Sequence, residues 1–137
     1  MNKIDTLIAY LFAIQAFAKD IHYSASGEAF YSKHLLADEI YKGIDEQIDA
    51  LIETCILPWG KPKRILEYYK LSDEYSPSLA GNVRNIDFSD LHKLIGYALT
   101  YIDTNLNNSI DCGSQSLIDS IAQDLQRKLG LITRQEG

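Results

Sequence analysis

Five residues of this chain could do metal chemistry together: His22, His34, Asp38, Asp49 and Glu53. They stand 12, 4, 11 and 4 residues apart. A four-residue step puts two side chains on one face of a helix, one above the other. An eleven-residue step is close to three full turns, so one helix through the last four residues would carry both pairs on one face. Imidazole nitrogen with carboxylate oxygen suits iron, manganese or zinc. Along one straight helix, however, Asp38 and Asp49 lie ~16 Å apart and cannot hold the same ion. Either two half-sites are completed by other residues, or two chains cross. An antiparallel pair of such helices about a two-fold axis near Gly43 would set His34 and Asp38 of one chain beside Asp49 and Glu53 of the other, twice per dimer. His22, from the end of a preceding helix, would complete each site. Taken singly, each residue reads as an ordinary surface side chain, and Asp45 and Glu46 show how common carboxylates are here. Their joint register singles the five out.

The elements that must position these residues are helices. Ile4, Leu7, Ile8, Leu11, Ile14 and Ala18 recur at helical steps, which predicts a helix over about Lys3 to Ile21. A turn is expected over Tyr23–Gly27, rich in serine and glycine. A second helix is expected from Glu28 to near Ile56, where Leu57-Pro58 stops it, with Leu35, Leu36, Ile40, Ile44, Ile48, Leu51 and Ile52 as its apolar stripe. Residues 58–86 are irregular, punctuated by Gly60, Pro62, Pro77 and Gly81. Within them Arg64–Leu71 predicts a short helix with Ile65, Leu66 and Tyr69 on one side. A third long helix is expected from Phe88 to about Leu106, with Asp87 as N-cap and Asp90 three residues on. After a polar turn over Asn107–Gly113, a fourth should span about Gln115 to Leu129, capped by Ser114 and stopped by Gly130. The whole predicts an all-α single domain over residues 1–137, a four-helix bundle with a short extra helix in the long crossover between the second and third main helices.

Composition narrows the function. The net charge of −6 argues against broad electrostatic binding to nucleic acid, so direct DNA binding is not expected. No apolar run reaches the ~18 residues that span a bilayer. Leu7–Ala18, after Lys3 and ending Ala16-Phe17-Ala18, mimics a secretory signal. Asp5 and Gln15 interrupt that pattern, and a cytoplasmic protein is expected. Cys55 and Cys112 have no metal-like spacing and read as reduced thiols. His92 reads as a surface or interface histidine, Trp59, Tyr68 and Tyr69 as packing or interface aromatics, and Lys61, Lys63 and Arg64 as a solvated basic loop.

The stretch from His22 to Glu53 resembles the ferroxidase segment of the Dps-like mini-ferritins. The family pattern is an His-aromatic pair, a turn with glycine, an aromatic pair, a second His, an Asp four residues on, and an Asp-x-x-x-Glu. Here these are His22-Tyr23, Gly27, Phe30-Tyr31, His34, Asp38, and Asp49 with Glu53, without a gap. Tyr23 stands where the family often has Trp. The resemblance covers about a quarter of the chain and implies a ferritin-like bundle. It further implies an iron site, di-iron or mono-iron, shared between two subunits, with His22, His34 and Asp38 from one and Asp49 and Glu53 from its two-fold partner. It implies a homo-oligomer of such dimers, a hollow dodecamer, and oxidation of Fe(II), commonly by hydrogen peroxide, with storage of the ferric mineral. Zinc or manganese could occupy the same donors without turnover. A Dps-like shell or interaction protein with weak or no ferroxidase activity is the alternative.

Overall fold

A computed structural model describes residues 2–27, 29–76, 86–108 and 110–136. Among the described residues all regular structure is helical and there is no strand. The helices are α1 (Lys3–Ser24), α2 (Phe30–Tyr41), α3 (Ile44–Leu51), α4 (Ile65–Tyr75), α5 (Phe88–Tyr101) and α6 (Cys112–Glu136). α3 and α5 run on into single wide π turns, Ile52–Ile56 and Ile102–Leu106. No helix among the described residues is long and apolar enough to cross a membrane.

α1 starts where Asn2 caps it, its side-chain oxygen accepting from the Ile4 N–H at 2.8 Å. Ile4, Leu7, Ile8, Leu11, Phe12, Ile14, Phe17, Ala18 and Ile21 are buried, and they lie around most of its circumference. A helix apolar on nearly every side must be covered on nearly every side. α2, α4 and α5 do this. The segment that mimics a secretory signal is thus the centre of the core. α5 runs antiparallel to α1. The Tyr101 hydroxyl donates to the Lys3 carbonyl at 2.8 Å at one end, and Ile21 and Phe88 line a common cavity at the other. α6 packs on α5 and runs antiparallel to α2 and α3, with Arg127 on Glu39, Lys128 on the Lys42 carbonyl and Asp124 on Gln47.

α4 is the short helix expected in the crossover, but a different side of it faces inward. Tyr68 is wholly buried, while Ile65 and Leu66 are exposed and Tyr69 only edges onto Phe12, 5.0 Å between ring centres. The Tyr68 hydroxyl donates to Asp5 Oδ1 at 2.6 Å and accepts from the Lys63 N–H at 3.2 Å. Burial, with Asp5 beside it, pushes this phenol far up, so it remains a donor.

The main departure from expectation lies in the second long helix. It is not continuous. Lys42 is extended (ψ 133°) and Gly43 is left-handed (φ 81°), so α2 ends and α3 begins anew. The expected two-fold crossing of straight helices at Gly43 therefore has no straight helix to rest on. α6 grips the break. Lys128, only 1% exposed, donates to the Lys42 carbonyl at 3.4 Å and pairs with Asp124 at 2.9 Å. Gln47 donates to the same Asp124 carboxylate at 2.8 Å. On the other side Gln15 of α1 donates to Asp45 at 2.6 Å.

Smaller corrections follow the same logic. The start expected at Glu28, and Pro77 and Gly81, lie outside the described residues. Leu35 of the expected stripe is exposed. The Asp87–Asp90 capping box forms as expected. Asp111, not Ser114, caps α6, accepting from the Ser114 N–H at 2.9 Å and from its hydroxyl at 2.9 Å. Gly130 does not stop α6, which runs on to Glu136 because Ile132 still has core to bury. Both cysteines are free thiols, Cys55 buried and Cys112 exposed.

Two outcomes follow. A Cβ on Gly43 would meet no atom within 4 Å, so its cost is conformational. Gly43→Ala should lower unfolding free energy by about 1 kcal/mol in urea titration, and Gly43→Asn by less. For Asp124, burial opposes ionisation, but Lys128, Gln47 and Arg127 outweigh it and hold the carboxyl below its ordinary value near 3.8. Its contribution is complete above that value and is lost as pH falls through the lower folded one. Asp124→Asn should be less stable than wild type at neutral pH, and the gap should close in melts below about pH 4.

Candidate metal-binding half-site

His22 occupies the last turn of α1, and His34 and Asp38 lie one turn apart on α2. The two imidazoles stack with centres 3.7 Å apart and planes 25° off parallel. Each ring also reaches the other residue's backbone. His22 Nδ1 lies 3.2 Å from the His34 carbonyl, and His34 Nδ1 lies 3.2 Å from the His22 carbonyl. A carbonyl only accepts, so each Nδ1 must carry the proton and donate. The His22 carbonyl is among the last of α1, left without an intrahelical partner, and His34 supplies one. The His34 carbonyl lies inside α2 and has a second lone pair to offer.

This fixes the tautomer of both rings. With Nδ1 protonated, each neutral imidazole holds its free lone pair on Nε2. That is the arrangement of a metal-ligating histidine whose other nitrogen is anchored by a carbonyl. The rings are held further by aromatic neighbours. Phe30 stacks on the far side of His34 at 5.2 Å, and Tyr23 and Tyr41 meet His22 edge-on at 5.4 and 5.5 Å. Tyr41 follows Asp38 by three residues on the same face, and the Asp38 carboxylate, as hydrogen-bond acceptor and as charge, raises its phenol above the ordinary value. The Lys19 ammonium stands 5.7 Å over the Tyr41 ring.

His22, His34 and Asp38 are half-buried, whereas Asp49 and Glu53 are exposed. The break at Gly43 puts these two carboxylates on α3 and its π turn, in elements separate from α2. The structure thus brings the two histidines together, keeps Asp38 on the helix of His34, and holds Asp49 and Glu53 on a separate element. Among the described residues no three His, Cys, Asp or Glu side chains of the one chain converge on a possible ion. The donor types fit iron, zinc or manganese, and the set from one chain is open.

Tyr41 and Phe30 complete this surrounding in ways that spacing alone did not single out. Both fall on the His34 face, Phe30 one turn before it and Tyr41 two turns after, which is the signal that could have found them. His92 is exposed, 3.3 Å from the Thr133 hydroxyl, and takes no part. Compared with known proteins, the chain matches no family model and no curated protein.

The tautomer assignment is directly measurable. Two-bond proton–nitrogen correlation spectra at mildly alkaline pH should show both His22 and His34 protonated at Nδ1 and bare at Nε2. An Nε2–H tautomer at either ring would break the reciprocal pairing.

Proposed function

We propose that this chain is a ferritin-like iron-oxidising and iron-storing protein of the Dps type. The observation that carries the reading is the reciprocal His22–His34 lock, which leaves the Nε2 lone pairs of both rings unused by it, with Asp38 one turn on from His34. Antiparallel long helices with a short helix in the crossover support a ferritin-like bundle. The open donor set supports a site shared between subunits. Asp49 and Glu53 of a two-fold partner would close it opposite His22, His34 and Asp38. Exposed apolar side chains adjoin both halves. Tyr23 (76% exposed), Phe30 and Tyr31 flank the histidines, and Leu57 and Trp59 (68%) follow Glu53. Such surface calls for a covering partner. Further assembly of such dimers into a hollow shell would give the mineral a place to accumulate.

The chain's own residues then have separable roles. Nε2 of His22 and of His34 would bind substrate Fe(II), and Asp38 with the partner's carboxylates would balance its charge. Two bound Fe(II) ions give one electron each to one hydrogen peroxide, which takes up two protons and leaves as two waters. Taking both electrons in one site releases no hydroxyl radical, and so protects the cell from oxidative damage.

A shell or interaction protein with weak turnover is the second reading. The break at Gly43, which sets Asp49 and Glu53 on a different helix from His34, favours it. One experiment separates the two. Fe(II) is added without oxygen, then hydrogen peroxide, and ferric absorbance is followed. Wild type should oxidise iron at least roughly tenfold faster than His34→Ala/Asp49→Ala, since loss of even a partner that only supports a ligand costs about that much. Wild type no faster than buffer leaves the shell reading, and elution as a monomer in size exclusion removes the shared site.

A further inference from the structure

Lys128 is the one lysine among the fully buried side chains, and neither the bundle core nor the metal chemistry uses it. Its ammonium holds the Lys42 carbonyl, at the end of α2, and the Asp124 carboxylate, which also binds Gln47 of α3. Arg127, the preceding residue, ties Asp124 to Glu39 of α2 at 3.0 Å on each side. One turn of α6 therefore grips both sides of the break at Gly43. α2 bears His34 and Asp38, and α3 with its π turn bears Asp49 and Glu53. We propose that Lys128 is a positioning residue that holds the α2–α3 break rigid, and so sets how the two half-sites are presented. The proposal rests on the metal-site reading above.

Burying an ammonium costs free energy unless it is paired and hydrogen-bonded. Here it donates to the Lys42 carbonyl at the end of α2 and pairs with the Asp124 carboxylate. A left-handed glycine alone is a soft joint, because glycine populates many backbone conformations. The ammonium adds the constraint that the glycine lacks.

The test uses the full chain with Co(II) as probe. Lys128→Met keeps the stem and removes the charge. Amide hydrogen exchange should speed roughly tenfold at Lys42 and Gln47, whose N–H groups close the last turn of α2 and the first of α3, and stay unchanged at Leu11 and Ile14. Co(II) binding should weaken roughly tenfold, as for loss of a residue that supports ligands. Asp124→Asn should act in the same direction, and serves if Lys128→Met does not fold. Tyr68→Phe, which loosens α4 far from the break, should leave Co(II) affinity unchanged. Unchanged exchange at Lys42 and Gln47 in both variants overturns the proposal. Faster exchange with undiminished Co(II) affinity reduces Lys128 to a structural role and overturns positioning. Wild type that binds no Co(II) sinks the site reading itself, and the positioning role with it, whatever the exchange rates show.

Discussion

A single constraint organises this molecule: α1 is apolar around most of its circumference and must be removed from water nearly everywhere. Each polar group that it nevertheless buries has to find a partner on whatever covers it. Asp5 finds Tyr68 of α4, and Gln15 finds Asp45 of α3. His22, at the exit, finds the backbone of α2. These polar positions of the central helix therefore mark where α4, α3 and α2 attach. The metal-capable pair arises at one of those attachment points, as part of the way α1 is closed off.

The break at Gly43 changes what the five-residue pattern means. On a straight helix the two pairs are rigidly phased by the backbone. Across a left-handed glycine they are phased by the contacts of α6 and α1 instead. The π turn at Ile52–Ile56 adds a second irregularity, directly under Glu53, where the Leu57 N–H reaches back five residues to the Ile52 carbonyl at 2.9 Å. Wide turns of this kind often accompany functional positions. Glu53 thus sits where local backbone geometry departs from the regular helix, and Asp49 lies in the last turn of α3 before it.

Much of the architecture was legible from residue pattern. The apolar period of α1, the Asp87–Asp90 box and the short crossover helix need only local rules. The break was not legible, because Ile40, Ile44, Ile48 and Leu51 stay buried on both sides of it and keep a helical phase. The side chains that contact it from α6, Lys128 and Asp124, lie about 80 residues away in the chain. Gly130 is the converse, a glycine that reads as a stop and is carried through by packing. Asp111 outcompetes Ser114 as cap because its carboxylate reaches both the N–H and the hydroxyl of that serine. On α4, counting apolar residues favoured Ile65 and Leu66. The buried hydrogen-bond acceptor on Asp5 instead draws in the tyrosine, which can satisfy it. Within the site, the four-residue steps were legible, whereas the reciprocal ring-to-carbonyl pairing needed the fold.

That pairing has a consequence for binding entropy. A free histidine on a surface helix samples several rotamers, and an arriving ion must freeze them. Here both rings are already immobilised, each by the other's main chain and by the stack between them. An ion that takes their Nε2 atoms need not supply that ordering from its own coordination energy. The side chains are arranged before any ligand arrives, and folding has already met the cost.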